Sequence, residues 1–471
     1  MHSTRHPARR LLALPAMLVL AGLALLPRAT PSQADAPASA PADRFVATQP
    51  PETPAGRQLQ WFIEASTRLP ISEAELRAHV SKAQLASPGG SPAETNAALR
   101  AVIDESGLRL VGLTLAQPNS LIAILTGRDG LRLSLVFALD RAGLIEFASL
   151  QPVVATAPAT LPAPSGPAAV GTDVVTLDDH ARAARRLILT RWYPAAGHTT
   201  NHPLATYAGP LLSSALGLPT VRVHARVGAP PRRARLPVVL FSPGLGTPRV
   251  LYQSIAEDLA SHGYLVVAVD HTGEAPMDLP DGRIALPSDS PEPSIAAASA
   301  TRLADMRLVL RHLNTMAAGP RADRRRIAAV GHSLGGSTAA ALMRAESSIR
   351  AGVDMDGSIF GTASKRGVPR AFLVMLAGRS ADASIRGLLK HSHGPRLALE
   401  FAGFEHMSFS DLPIIAPGGP GVGKTPSARD IIAQRAYLRA FLDRYVLGRR
   451  APLLDGPSRR FPQVHIGYRA P

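Results

Sequence analysis

The chain changes its hydrophobic rhythm twice. Residues 58–63, 72–79 and 93–105 carry apolar side chains at helical spacing, and then 108–115, 121–126, 131–138 and 144–150 alternate with period two. Helices followed by a run of antiparallel strands predict a small α+β domain over 55–153. Pro, Ala and Gly dominate 154–171, which reads as an interdomain linker. Beyond it, short apolar runs at 187–192, 238–241, 265–269, 326–330, 352–355, 371–376 and 397–401 alternate with amphipathic stretches. Those stretches, at 251–262, 300–313, 334–345, 384–390 and 428–446, have helical spacing. This alternation predicts an α/β fold over 172–450, a doubly wound sheet parallel over most of its width. Residues 451–471 read as a C-terminal tail. In open α/β sheets chemistry gathers at the carboxyl ends of the strands, so candidate residues are sought just after these runs.

The N-terminus has a different pattern. Arg5, Arg9 and Arg10 precede an apolar stretch at 11–26, and Ser32-Gln33-Ala34 supplies small residues for cleavage before Asp35. Residues 1–34 are therefore expected to be an export signal, removed to leave a secreted or periplasmic protein. Sixteen apolar residues, with Pro15 among them, are marginal for a bilayer of about 30 Å. Pro-, Ala- and Ser-rich residues 35–54 read as a flexible spacer.

Composition narrows the class further. With 471 residues and 46% apolar content, the chain can bury two cores. Its formal charge of +16 comes almost wholly from scattered arginines, because only four lysines occur. Losing the expected signal would remove four arginines and no acids, leaving +12. A soluble arginine-rich surface is the plain reading, and transient contact with anionic lipid surfaces the sharper one. Nothing pairs these charges with regular aromatics or a nucleic-acid module, so no nucleic-acid partner is expected. The sequence sets no oligomeric state. The absence of cysteine excludes disulfides and thiolate chemistry. No His/Asp/Glu grouping has ligand spacing, so neither metal nor cofactor is expected.

The chemistry centres on Gly331-His332-Ser333-Leu334-Gly335-Gly336, which follows the apolar run 326–330 and opens the helical run 334–345. This is G-x-S-x-G in strand–turn–helix context, the nucleophile elbow of α/β-hydrolases. Ser333 must occupy a strained turn, and side chains at 331 or 335 would collide with the neighbouring strand and helix. A serine hydroxyl needs a base to take its proton as it attacks. His406, after the last apolar run in Gly403-Phe404-Glu405-His406, is the natural choice over His271, His332, His391 and His393. Two acids are open. The standard hydrolase layout nominates Asp382, after the run 371–376, and Asp356-Gly357 ends the run one strand earlier. Asp354, inside that run, needs a partner if buried and could be paired with an arginine.

Ser242-Pro243-Gly244-Leu245-Gly246, Leu259-Ala260-Ser261-His262-Gly263-Tyr264, the elbow, and Asp356-Gly357-Ser358-Ile359-Phe360-Gly361 together resemble the platelet-activating factor acetylhydrolase family of the plasma and isoform II type. The resemblance spans most of 185–450 and includes Arg191-Trp192-Tyr193-Pro194. It implies a Ser333–His406–Asp356 triad, an oxyanion hole from the amides of Leu245 and Leu334, and short or oxidised acyl esters, including phospholipid esters, as substrates. Pro243 departs from the family's usual His-Gly, and Ser-Pro-Gly there also resembles bacterial cutinases, which makes a polyesterase the alternative. Thr53-Pro54-Ala55-Gly56-Arg57-Gln58-Leu59 followed by Trp61 resembles the cystatin-like or NTF2-like domain that precedes some secreted serine hydrolases. That segment lacks a cluster of acid, base and nucleophile, which suits an accessory role.

Three further expectations complete the reading. Phe360, Phe404 and Phe409 flank the candidate acid and base and could wall a small acyl pocket or simply pack the core. Residues 418–425 satisfy the P-loop pattern, but two prolines spoil the strand that should precede it, so this is read as a loop beside the site. A non-catalytic binding protein of the same fold would be expected to lack nucleophile, base, acid or oxyanion glycine. All four kinds are present.

Overall fold

The computed structural model describes residues 45–470 apart from 87–89, 154–157, 183–184, 198, 288–293, 317–318, 379–380, 418–420 and 423–427. The expected export signal, the first half of the spacer and most of the P-loop-like stretch lie outside the described residues.

The N-terminal part contains α1 (Pro54–Ser66), α2 (Glu73–His79), α3 (Lys82–Leu85) and α4 (Pro92–Val102). Each starts behind a hydroxyl N-cap, since Thr53, Ser72, Ser81 and Ser91 each accept an amide from the first turn. An antiparallel meander follows, β1 (Arg109–Gln117), β2 (Ser120–Thr126), β3 (Arg132–Leu139) and β4 (Ile145–Pro152). Leu59 and Phe62 of α1 and Leu99 of α4 pack against Leu121, Leu125, Leu135 and Phe137 on one sheet face. The opposite face is partly covered. Ile122 and Val136 pack on Ala215, and Ser134 donates to the Ser214 carbonyl at 2.5 Å.

The second part is a sheet of β5 (Val170–Asp179), β6 (Arg185–Pro194), β7 (Arg235–Ser242), β8 (Leu265–Asp270), β9 (Arg321–His332), β10 (Ile349–Met355), β11 (Ala371–Ala377), β12 (Arg396–Phe401) and β13 (Val464–Ala470). Its order is β13-β12-β11-β10-β9-β7-β8-β6-β5, with the two-residue strand Arg226–Val227 beyond β5. Pairing is parallel from β12 through to β8, and antiparallel at β12–β13, β8–β6 and β6–β5. Helices α5 (Pro210–Ala215), α6 (Gln253–Ser261), α7 (Ile295–His312), α8 (Leu334–Ala345), α9 (Thr362–Arg366), α10 (Ala383–His391), α11 (Leu412–Ile415) and α12 (Ala428–Tyr445) complete the chain. Alternate residues of each strand feed two separate cores. Val239, Phe241, Val330 and Val353 face α6 and α12, while Val238, Leu240, Ala329 and Val374 face α7, α8 and α10. Burial on both faces explains why these strands read as continuous apolar runs.

Two expected boundaries change. The described part of 154–171 is tied down rather than free: Ser165 and Gly166 donate to Asp258 and Ser261 of α6, and Arg435 of α12 holds the carbonyls of Pro162 and Ala163. Its backbone groups find buried partners far along the chain, which local composition cannot reveal. The expected tail contributes β13, and Phe461 just before it packs on Tyr437. An edge strand with only Val464 and Ile466 packed inward carries too little alternation to be read beforehand.

Candidate active site

β9 reaches α8 through Ser333, whose φ of +56° and ψ of −124° fit neither helix nor strand. The flanking glycines make this turn possible. A Cβ on Gly331 would stand 2.1 Å from the Gly335 backbone, and one on Gly335 1.9 Å from the Ser242 carbonyl oxygen. Leu334 opens α8, so its amide lies among those with no acceptor inside the helix. Asp356, at the end of the neighbouring β10, is likewise left-handed, with φ +57°. Apart from Asp129, these two are the only non-glycine residues with positive φ among the described residues. Strain concentrated at adjacent strand ends marks a functional candidate.

Asp356 is held firmly. Its amide donates to the Met375 carbonyl at 2.7 Å, and its Oδ1 accepts the Ala377 amide at 2.9 Å. Its Oδ2 lies 2.8 Å from Nδ1 of His406. His406 begins a short 3-10 turn, His406–Phe409, braced by the Glu405 amide donating to Ser408 Oγ at 2.9 Å. The acid is almost buried at 3% side-chain exposure, and the imidazole keeps 23%, so one end of the pair is dry and the other reachable. Asp382 does other work. It caps α10 through the Ser384 and Ile385 amides and accepts from Ser358 Oγ at 2.5 Å. Burial would raise its carboxyl, but these bonds together hold it below the ordinary carboxylate range. Asp354 Oδ1 accepts the Gly357 amide at 3.0 Å.

His332 turns inward from the elbow. Its Nε2 lies 2.9 Å from the His406 carbonyl, which can only accept, so Nε2 carries the proton and Nδ1 accepts from Tyr252 Oη at 2.8 Å. Burial, with His406 nearby, pushes the His332 imidazole down to about 3, and burial pushes the Tyr252 phenol up to about 12. Both stay neutral at ordinary pH. The loop after β7 closes over the same place. A Cβ on Gly244 would sit 3.5 Å from Ser333 Cβ and 3.0 Å from His332 Nδ1, so the Gly244–Leu245 peptide lies against the elbow.

The three phenylalanines separate. Phe404 and Phe409 join Phe401 in a buried aromatic group, with centroids 5.0, 5.1 and 5.5 Å apart, and Phe409 is fully buried. These two rings pack the core rather than wall an open pocket. Phe360 alone keeps partial exposure, its amide donating to Ser337 Oγ at 2.9 Å. Of the P-loop-like stretch, Gly421 and Val422 are described, and their carbonyls accept from the Met407 amide and Ser408 Oγ beside His406.

The sequence reading missed a second Ser–His–Asp line. Ser242 Oγ lies 2.9 Å from His271 Nε2, and His271 Nδ1 lies 2.9 Å from Asp305 Oδ2. All three are buried, and Arg182 and Arg185 also hold Asp305. No substrate can reach that serine. The contributing strands are far apart in sequence, so no local signal exposes this line.

Among the described residues, no group of three or more His, Cys, Asp or Glu side chains could hold a metal. A serine on a strained elbow, an imidazole–carboxylate pair beside it and a glycine loop over it can support acyl transfer without one. The fold is that of the α/β-hydrolases, and the protein is a carboxylic ester hydrolase. A model of platelet-activating factor acetylhydrolase, isoform II, matches residues 154–277, and one of serine aminopeptidase S33 matches 233–386. A probable 1-alkyl-2-acetylglycerophosphocholine esterase of Arthroderma benhamiae is 28% identical over 363 residues, covering 64% of this chain and 92% of that protein. The platelet-activating factor acetylhydrolase of Cavia porcellus is 31% identical over 131 residues, covering 25% of this chain and 30% of its own. The structure of a ferulic acid esterase from Streptomyces cinnamoneus superposes with a TM-score of 0.61 at 32% identity, covering 66% of this chain and all of that one. Over residues 154–277 the chain is similar to the platelet-activating factor acetylhydrolase isoform II family. Residues 50–145 match the ORF 12 gene product N-terminal model, a different description from the cystatin or NTF2 likeness expected for that segment.

Proposed function

We propose that this esterase works through Ser333, His406 and Asp356, with the amides of Leu245 and Leu334 as oxyanion donors, and that it cleaves short-acyl esters. Ser333 Oγ attacks the ester carbonyl while His406 Nε2 takes its proton, and Asp356 holds the tautomer with Nδ1–H. The oxyanion is stabilised by the two amides, each worth about 3 kcal/mol at the usual magnitude. The carbon–oxygen bond to the alcohol then breaks, the alcohol leaving with the proton from His406, and water releases the acyl group by the same steps in reverse. The observation that carries this reading is the 2.8 Å pair of His406 and Asp356 beside a serine held at φ +56°.

For the substrate, the probable 1-alkyl-2-acetylglycerophosphocholine esterase of Arthroderma benhamiae supports a phospholipid sn-2 acetyl group, and oxidised short-chain groups rest on the sequence resemblance alone. Phe360 remains the candidate acyl-wall ring. The ferulic acid esterase neighbour lends no weight to the polyesterase alternative. Export with cleavage before Asp35, and transient contact with anionic lipid through the basic surface, rest on the sequence pattern.

Ser333→Ala is expected to lower ester turnover by several orders of magnitude in a folded protein. Near-wild-type activity there ends the triad reading. A series of esters of graded acyl length, with an acetylated phospholipid and an aliphatic polyester, tests the substrate. C2–C6 acyl groups should be preferred, because a small pocket gains only about 0.8 kcal/mol from each of a few methylenes. Specificity constants that keep rising to long chains, with activation at an oil–water interface, would make it a lipase instead.

A further inference from the structure

An oxyanion donor must point at the substrate before the reaction begins, yet Leu245 sits in a glycine-flanked loop with little side-chain packing to orient it. In a trans peptide the carbonyl and the following N–H point in opposite directions. Whatever grips the Gly244 carbonyl therefore aims the Leu245 amide the other way. Arg302 of α7 is that grip. Its Nη2 lies 3.1 Å from the Gly244 carbonyl and its Nη1 2.7 Å from the Pro243 carbonyl, with Ser242 Oγ at 3.4 Å. Thr247 Oγ1 reaches the same Gly244 carbonyl at 2.8 Å, and Tyr252 Oη receives the Gly244 amide at 3.3 Å. The other edge of the guanidinium is paired with Glu274, through Nε at 2.9 Å and through Nη2.

We propose that Arg302, fixed by Glu274, is the positioning residue of the oxyanion hole: by holding the Pro243 and Gly244 carbonyls behind the loop it presents the Leu245 amide to the reacting oxygen. The inference rests on the oxyanion assignment made above. Three features set Arg302 apart from a stabilising ion pair. Its side chain is 1% exposed, and a buried pair of this kind adds little stability over apolar residues of the same volume. What apolar residues cannot do is hold two consecutive carbonyls. A guanidinium can, because its donors form a rigid planar fork, and a lysine ammonium cannot reproduce that fork. Proline at 243 suits the same device, since it brings a carbonyl to Arg302 while adding no amide to compete for the oxyanion. The buried Ser242–His271–Asp305 line then has a purpose. It fixes the residue that begins the loop from the other side, with His271 and Ser242 locked in sequence against α7, the helix that carries both Asp305 and Arg302.

The test compares a ground-state property with one that requires the oxyanion. A trifluoromethyl ketone with a short alkyl arm adds the serine oxygen to its carbonyl carbon and leaves an oxyanion in the hole, its proton passing to the histidine. In Arg302→Lys, kcat for a short p-nitrophenyl ester and affinity for the ketone should fall together, by between 10- and 1,000-fold, with KM changing less than threefold. Thr247→Val, which removes the hydroxyl bond to the same carbonyl and the 3.1 Å contact with Tyr252 Oη but keeps the Thr247 amide on that carbonyl, should show the same paired loss on a smaller scale, and serves if Arg302→Lys does not fold by circular dichroism and thermal melting. Folded variants that keep ketone affinity within threefold of wild type, or that lose KM and kcat alike, overturn the proposal. Ketone affinity of the unmodified enzyme that survives Ser333→Ala would instead overturn the triad reading on which it rests.

Discussion

Replacing Asp356 by asparagine tests how a single atom can set the direction of proton transfer. Two engagements of the carboxylate carry the argument: Oδ1 receives the Ala377 amide at 2.9 Å and Oδ2 faces His406 Nδ1 at 2.8 Å. In Asp356→Asn the side-chain carbonyl must stay with the Ala377 amide, because two N–H groups cannot face each other. The new NH2 then points at Nδ1 and donates to it, so the imidazole proton moves to Nε2, the nitrogen that should accept from Ser333. A base in the wrong tautomer costs about four orders of magnitude in kcat, close to 5.5 kcal/mol of transition-state stabilisation. Asp382→Asn provides the contrast. Asparagine caps helices as well as aspartate does, so the Ser384 and Ile385 amides keep an acceptor. The Ser358 contact is weakened, at a cost on the order of 1 kcal/mol of stability. Turnover of p-nitrophenyl acetate, the rate of fluorophosphonate labelling and a thermal melt on both variants separate the two effects. An Asp356→Asn enzyme within tenfold of wild type, or an Asp382→Asn enzyme more damaged than it, would refute the tautomer argument.

The buried aromatic group predicts that Phe409→Ala destabilises the fold by about 3–5 kcal/mol in urea unfolding, since the ring is fully enclosed by Phe401, Phe404 and its neighbours. Phe360→Ala should leave stability nearly unchanged and shift the ratio of specificity constants toward longer acyl chains. His332 supplies a pH signature. Its folded-state imidazole is lowered to about 3 against an ordinary 6.5, so between these values the unfolded chain binds the extra proton and stability rises with pH. The stability difference between wild type and His332→Asn should therefore be smallest near pH 3, grow to about pH 6.5 and then level off, and a difference that shrinks with rising pH over that window would contradict the sign. Removal of residues 461–471 should expose the edge of β12 and strip Phe461 from Tyr437, and increased aggregation by light scattering is the expected result.

Local sequence determined a great deal of this protein. The strands that read as continuous apolar runs formed at the expected places, because burial on both faces leaves no room for polar positions. The helices of the N-terminal part began where a hydroxyl residue preceded an apolar pattern. Ser333 was legible for a related reason, since a strained turn demands Gly331 and Gly335 whatever the rest of the chain does. His406 stood out by following the final parallel strand.

Tertiary structure decided what depends on which elements become neighbours. Asp356 and Asp382 both follow strand ends, and only the order β9-β10-β11 brings the first to His406 and leaves the second to cap α10. Phe404 and Phe409 look like pocket residues by position, but the approach of α12 encloses them. The segment after residue 158 resembles a linker until α6 and α12 supply partners for its backbone, and residues 464–470 become a strand only because β12 offers an open edge. The fork of Arg302 over the Gly244 carbonyl joins residues 58 positions apart. Periodicity and turn chemistry act over a few residues, so a sequence displays them directly. Pairing of distant carbonyls, carboxylates and edges depends on the packed sheet, and no single stretch of chain encodes it.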